Sequence, residues 1–289
     1  MSFEPSFPRD QATLLRMLAK RAMIGGTPAF AKAKTFVLFG GSGQVGTTTV
    51  CHNLACAMGL AGHRVATVDL NPSNPGLAQL TGRTPSVSID ELLTGRHDLH
   101  EYFVPGVAAS LLLPTDESNG AGKWPVAAVD RLIEKLMGLG RHADIVLIDA
   151  GSEVSPLAGE LWRMAQLFLL VLNPTADAIT AGYERIRWLH QFSPRKVTHV
   201  VMNRAASETG HAELVAGMDT TAQKFLHSTI ESVGHVEVAP EIGAASKAAQ
   251  PFVQRYAEHA ASKSIQRMSD RLVRMSLSLS QSPTSKRAA

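Results

Sequence analysis

The sequence has few cysteines, few charged residues and no long apolar run. Its two cysteines, Cys51 and Cys56, lie five residues apart in one predicted helix, a spacing that suits small buried side chains better than a disulfide or a metal site. No apolar run reaches the roughly 18 residues that cross a membrane. The first residues lack the apolar core of a secretory signal. We therefore expect a cytoplasmic protein in a reducing compartment.

Composition and charge argue against two further classes of protein. Charged residues make up 18% and hydrophobic residues 45% of the 289 residues, which argues against a disordered chain and allows a full-sized core. The net charge is only +3, which gives no signal for a protein that coats nucleic acid. No nucleic-acid partner is therefore expected.

Short apolar segments alternate with helical ones along most of the chain. Their continuous apolar character predicts parallel strands covered on both faces. Ligands of such sheets bind beyond the carboxyl ends of the strands. The strands are predicted at residues 35–39, 64–69, 110–114, 145–149, 167–172, 197–202 and 236–238, with a helix at 48–60.

The predicted fold is α/β, with a mostly parallel, doubly covered sheet and helical extensions at both ends. Residues 1–33 are expected to form an N-terminal helix and a linker. Residues 34–260 should form the α/β domain. Residues 261–289 are expected to form a basic amphipathic helix and a tail.

A glycine-rich segment follows the first predicted strand. Two glycines, Gly41 and Gly46, fit the phosphate-binding pattern GxxxxGK[ST], and Thr48 fits its hydroxyl position. Backbone N–H groups of such a loop, with the N-terminus of the next helix, favour a bound anion. Thr47 occupies the lysine position, so the cation that reaches the phosphates is missing. The segment reads Gly40-Gly41-Ser42-Gly43-Gln44-Val45-Gly46-Thr47-Thr48-Thr49.

This loop, with Asn53-Leu54-Ala55 after it, resembles the deviant phosphate-binding loop of the MinD/ParA family, which reads K-G-G-V-G-K-T-T before a helix with N-L-A. Ser42 and Thr47 replace both family lysines, and Gln44 replaces a glycine. The resemblance implies a MinD-like P-loop fold, ATP and Mg²⁺ as cofactors, and a homodimer formed on ATP. It implies that the loop residues 41–49 bind the nucleotide.

The resemblance also implies roles for polar residues after later strands. Asp149 and Thr48 match the Mg²⁺ site, together with Asp69 of the D-x-D segment. Asn71 replaces the second carboxylate of that segment, which positions the attacking water in the family. Asn203 matches the asparagine that reads the adenine base.

Three chemically important positions are therefore neutral in this chain. Each lost lysine removes a charge-assisted contact worth about 1.5–3 kcal/mol. We expect weakened ATP binding and little or no hydrolysis. Lys34 or Lys123 could supply another cation, although each fits an ordinary surface lysine better. The alternatives are an active ATP-dependent dimeric switch in polar or flagellar placement, and a ParA-like partitioning protein bound to DNA.

A second resemblance lies near the N-terminus, in Asp10-Gln11-Ala12-Thr13-Leu14-Leu15-Arg16. It matches the D-Q-A-x-x-L-R element of the FlhG (FleN) family, MinD-like regulators of flagellar number. In that family the element is a helix that activates the GTPase FlhF. The resemblance implies an FlhF-like GTPase as partner, contacted by Asp10, Gln11, Ala12, Leu15 and Arg16. An amphipathic docking helix with chance identity is the alternative.

The C-terminal region predicts a basic amphipathic helix. Its apolar residues follow helical spacing, with a basic side opposite. Such a helix indicates contact with a membrane surface or a partner, and in FlhG and MinD it targets the inner face of the cell membrane. The alternative is a helix packed on the body. The apolar residues are Ile265, Met268, Leu272, Met275 and Leu279; the basic ones are Lys263, Arg267, Arg271 and Arg274.

Overall fold

The computed structural model describes residues 33–281, except residues 86, 96–97, 109, 119–123, 195 and 207. The predicted N-terminal element at residues 10–16 and Lys123 lie outside the described residues. Within them, the strands are β1 (Lys34–Gly40), β2 (Val65–Asp69), β3 (Val87–Ser88), β4 (Val104–Pro105), β5 (Leu111–Leu113), β6 (Thr115–Asp116), β7 (Ile145–Asp149), β8 (Leu167–Leu172), β9 (Thr198–Ala205) and β10 (Ile230–Glu237).

Ten α-helices accompany these strands in the described part of the chain. They are α1 (Thr47–Leu60), α2 (Leu77–Thr81), α3 (Ile89–Thr94), α4 (Val126–Met137), α5 (Pro156–Met164), α6 (Ala176–Leu189), α7 (Glu208–Leu226), α8 (Pro240–Lys247), α9 (Phe252–Arg255) and α10 (Ala260–Gln281). No helix among the described residues is long and apolar enough to cross a membrane.

Local sequence signals explain where several helices begin. Ser155 and Thr175 accept hydrogen bonds from the first turns of α5 and α6, and Pro156 occupies the start of α5. Ser88 and Glu91 form a reciprocal capping box at α3. Each of these side chains satisfies a backbone N–H that the helix itself leaves unpaired.

The main sheet has eight strands in the order β10-β9-β8-β1-β7-β2-β5-β4. Its pairs are parallel, except that β4 runs antiparallel to β5. The prediction of a mostly parallel α/β sheet is thus confirmed. Because β1 lies between β7 and β8, the segments that follow these three strands lie together at the carboxyl ends of the strands.

Two hydrophobic clusters cover the two faces of this sheet. One lies under α4–α7 and contains Trp162 and Leu132. The other lies under α1, α9 and α10 and contains Leu54 and Phe252. The prediction that both faces are covered is therefore confirmed.

The strand predictions were most accurate in the middle of the sheet. The predicted strands at residues 145–149 and 167–172 coincide with β7 and β8. The strand predicted at residues 236–238 was wrong in its bounds, because β10 begins at Ile230 and ends at Glu237. β10 lies at the edge of the sheet and alternates buried residues with polar ones, so it presents no continuous apolar run.

The C-terminal helix α10 turns its apolar side inward. Ile265, Met268 and Leu272 are at most 2% exposed, and Met275 packs partly against the same cluster. The prediction that these residues face a membrane is therefore wrong, since they cover α1 and β10. Leu279 alone of the five is exposed. The helix is thus part of the α/β body and not a separate segment that begins at residue 261.

Candidate functional site

The loop after β1 lies among the carboxyl ends of neighbouring strands. Leu38 of β1 pairs with Asp149 of β7, and Asp149 pairs with Asp69 of β2. The Gly40 N–H donates to the Gly151 carbonyl at 2.7 Å, and the Gly41 N–H donates to the Val171 carbonyl at 2.9 Å. The base of the loop is therefore fixed to the strands on both sides of β1.

Two residues of the loop adopt left-handed backbone conformations. Gly46 has φ of 88° and Gln44 has φ of 60°. A Cβ at Gly46 would lie 2.4 Å from Nδ2 of Asn203, so only glycine fits there. Gln44 replaces a family glycine yet keeps the left-handed conformation, which costs a residue with a side chain about 1–2 kcal/mol.

Asn203 holds the loop through its side chain. Its Nδ2 donates to the Val45 carbonyl at 2.7 Å, and the residue is buried. The amide group that the resemblance assigns to adenine is therefore bonded to the loop in this structure. Its role in reading a base stays a prediction.

Thr47, at the position of the family's second lysine, is a small buried residue. A Cβ at Gly40 would lie 2.8 Å from its Oγ1, so the hydroxyl lies against the base of the loop. Ser42, at the first lysine position, is only partly buried, and Gly43 and Gln44 are exposed. The loop therefore offers backbone N–H groups and hydroxyls to an anion but no cation of its own.

Lys34 does not supply the missing cation. It is the first residue of β1 and pairs with Ile145, the first residue of β7. The loop follows the other end of the strand, about 20 Å away at 3.3 Å per residue. The suggestion that Lys34 replaces a lost lysine was therefore wrong.

The three predicted magnesium ligands lie together. Thr48 Oγ1 donates a short hydrogen bond to Asp149 Oδ2, and the Gly151 N–H donates to Asp149 Oδ1 at 3.0 Å. The Asp69 carboxylate accepts from the Asn71 N–H at 3.1 Å and from the Leu77 N–H at 2.8 Å. These bonds orient two carboxylates and one hydroxyl, the hard oxygen ligands that Mg²⁺ prefers.

The electrostatics of the two carboxylates also favour a cation. Burial raises the pKa of Asp69 well above its usual value, and nearby Asp149 raises it further. Burial likewise raises the pKa of Asp149, against the bonds from Thr48 and Gly151. No basic side chain among the described residues pairs with either carboxylate. A divalent ion would supply the missing positive charge, so these residues fit Mg²⁺.

Asn71 is held in a tight turn beside this pair. Its Nδ2 donates to the Asn74 carbonyl at 2.7 Å, and a Cβ at Gly151 would lie 2.4 Å from its Oδ1. A carboxamide cannot accept a proton as a carboxylate can. Among the described residues, the arrangement therefore offers oxygen ligands that fit Mg²⁺ and N–H groups that fit a phosphate, and Asn71 adds no carboxylate to them.

The sequence analysis did not single out a buried histidine in α1. His52 is 2% exposed, and neither ring nitrogen has a hydrogen-bond partner among the described residues. The only signal was its place in α1 beside Cys51 and Asn53, with mostly apolar residues after them. Its neighbour Asn53 bonds to the Thr49 carbonyl and the Val253 N–H, which fixes α1 to α9.

We expect His52 to make the protein sensitive to acid. Burial lowers its pKa from 6.5 to about 4. Between these two values the unfolded chain binds a proton that the folded chain does not, so stability present above pH 6.5 is lost as the pH falls towards 4. The free energy of unfolding should decrease by roughly 3 kcal/mol over this range. Urea unfolding at several pH values measures it.

His52→Leu should flatten this pH dependence, because it removes the buried ring. Part of the slope should remain, since burial also lowers the pKa of His190 and His199. The exposed His142 provides the control, and His142→Gln should leave the slope unchanged. An unchanged slope in His52→Leu would mean that the ring is protonated in the folded protein.

Comparison with known proteins places these features among nucleotide-binding proteins. Residues 36–251 match the CobQ/CobB/MinD/ParA nucleotide binding domain. The chain is 25% identical over 197 residues to the antiactivator FleN of Pseudomonas aeruginosa, covering 68% of this chain and 70% of FleN.

Solved structures share the fold. The cell division ATPase MinD of Pyrococcus furiosus superposes with a TM-score of 0.70 at 19% identity, over 84% of this chain and 99% of MinD. MinD of Pyrococcus horikoshii, solved with Mg-ADP, has a TM-score of 0.67 at 18% identity, over 86% of this chain and 99% of MinD.

Proposed function

The chain belongs to the CobQ/CobB/MinD/ParA family of nucleotide-binding domains, and from this premise we propose that it is a MinD-like regulator of flagellar number or placement. In this proposal it activates an FlhF-like GTPase through residues 10–16. Its own ATP binding is weak and its hydrolysis is lost.

One observation carries the proposal: the framework of the nucleotide site is kept while its reactive groups are neutral. Thr48 bonds to Asp149, and Asp149 and Asp69 are paired on the adjacent strands β7 and β2. The Thr47 side chain packs against Gly40, and the Asn71 side chain packs against Gly151. Hydrolysis depends on groups that act mainly in the transition state, so their loss affects turnover more than binding.

ATP and Mg²⁺ are the proposed cofactors of this site. Thr48, Asp69 and Asp149 would hold the metal, which neutralises phosphate charge when it is bound. The N-terminus of α1 would hold phosphate through backbone N–H groups. A nucleotide-bound homodimer is part of the proposal by analogy with the family.

The flagellar part of the proposal is supported by the similarity to FleN and by the sequence at residues 10–16. A glutamine on an exposed helix can orient a water molecule for attack on a nucleotide phosphate, as switch glutamines do in GTPases. Gln11 is the residue proposed to do so.

Peripheral location at the inner face of the membrane is also proposed. The apolar side of α10 is not available for it. The exposed Leu277 and Leu279 near the end of that helix are the remaining apolar contacts, and two such side chains would bind a membrane weakly.

The test is GTP hydrolysis by the cognate FlhF-like GTPase. The intact protein should raise the rate by at least about tenfold, and Gln11→Ala should abolish most of that increase. Thr13→Ala provides a matched control, because the element leaves that position unspecified, and it should stimulate as the unchanged protein does. Equal stimulation by Gln11→Ala, or none by the intact protein, would remove the proposal.

An ATP-dependent dimeric switch is the second candidate, and the intact group of Thr48, Asp69 and Asp149 favours it. Steady-state phosphate release that disappears in Asp149→Ala would support this candidate in place of the first.

A further inference from the structure

A concave basic site lies at the edge strand β10, and no residue of the phosphate loop lines it. It is an open cleft formed by β10, α7 and α10, with a volume of about 450 Å³. β10 is separated from β1 by β9 and β8, which places these two strands about 14 Å apart at the usual strand spacing. Its lining includes Arg267, Arg271, Arg274, His211 and His235.

Three arginines supply the positive charge of the site. They lie on one side of α10 and are exposed, and none forms an ion pair with a carboxylate in the described part of the chain. Arg267 donates to Ser264 Oγ at 3.0 Å, and Arg271 donates to the Val233 carbonyl at 3.3 Å. Each guanidinium therefore keeps N–H donors for a ligand.

Two histidines stand beside the arginines. The rings of His211 on α7 and His235 on β10 have centroids 4.4 Å apart, and His211 is buried. β10 shifts register against β9 between Ser232 and Gly234, and such bulges often redirect side chains beside binding sites.

Close packing shapes the floor of the site. A Cβ at Gly234 would lie 2.7 Å from Cγ of Met268, so α10 approaches the strand as closely as a glycine allows. One acid, Asp270, also lines the site, which leaves an excess of positive charge from the arginines.

We propose that this site binds a compact phosphate-bearing ligand. Guanidinium groups pair with phosphate oxygens through two parallel hydrogen bonds, and hydroxyls of Ser232 and Ser264 line the same site. The volume falls within the range of small-molecule sites, and the concave form suits a small phosphate or a lipid headgroup better than a duplex.

The experiment titrates the full-length protein with sodium pyrophosphate by calorimetry. Arg267→Gln/Arg274→Gln removes two charges and keeps Arg271, which bonds to the backbone. This variant should weaken binding by about 100-fold, at about tenfold for each lost contact. The control Arg131→Gln/Arg187→Gln removes two exposed charges on other helices, outside the site, and should bind as the unchanged protein does.

A second titration identifies the source of the phosphate. Vesicles of phosphatidylglycerol and phosphatidylcholine are compared with phosphatidylcholine alone, in all three proteins. Arginine-dependent binding of pyrophosphate supports a free ligand, and arginine-dependent binding of the anionic vesicles alone supports a headgroup. No binding of either probe overturns the proposal. So does equal binding by both double variants, or binding of a short DNA duplex in place of both probes.

Discussion

Thr47→Lys is expected to strengthen the binding of Mg-ATP by about ten- to a hundredfold. The glycines, Thr48 and Asp149 lie together where the resemblance to the MinD/ParA loop implies a phosphate site. A lysine at residue 47 would add one charge-assisted contact to the phosphates, the contact that active P-loop proteins use. Calorimetric titration of the two proteins with Mg-ATP measures the difference.

Thr47→Met is the matched control, because methionine has a similar length and no charge. It should bind Mg-ATP no better than the unchanged protein. Equal gains in both variants would show that side-chain length, and not charge, limits binding. Micromolar binding by the unchanged protein would show that backbone N–H groups, Thr48 and Asp149 suffice.

Hydrolysis should need further changes. Asn71 lies beside the buried carboxylates but cannot accept a proton. We therefore expect measurable phosphate release only when Asn71→Asp and Ser42→Lys accompany Thr47→Lys. Turnover in Thr47→Lys alone would mean that another group acts as the base.

Leu272→Asp is expected to lower the free energy of unfolding by more than about 4 kcal/mol, because it removes a large apolar side chain and buries a charge. Leu272 is 0% exposed, on the side of α10 that covers α1. Urea unfolding measures the change.

Leu279→Asp, on the same helix, provides the control. Leu279 is 51% exposed, so its replacement should change stability by less than about 0.5 kcal/mol. Similar small effects at both positions would mean that α10 leaves the body in solution, and its apolar side would again be available to a membrane.

The central strands and the phosphate loop could be predicted from sequence because their signals are local. β7 and β8 are unbroken apolar runs. The spacing of Gly41 and Gly46 is typical of one loop conformation, which needs glycine at these positions. The placement of Thr48 and Asp149 in one site was implied by the resemblance to the MinD/ParA loop. Lys34 could also have been excluded, since it precedes the predicted first strand and the loop follows it.

The remaining features depend on contacts that no local pattern reveals. The apolar residues of an amphipathic helix have the same spacing whether they contact a membrane or a protein. The packing position of α10 could therefore not be predicted without knowing which side of α1 is left uncovered. The edge strand β10 mixes polar and apolar residues, so no continuous apolar run marked its start at Ile230. Nothing around His52 in the sequence shows that both of its ring nitrogens are left without partners.

The packing of α10 on α1 has a consequence for synthesis. The ribosome makes the helix that follows the phosphate loop long before it makes Leu272, which covers it. Until then the nascent chain carries an open apolar surface, the kind that chaperones and proteases recognise. A messenger RNA with a stop codon before Ala260 should therefore yield a product that is degraded, and not a shorter folded protein with an intact phosphate loop.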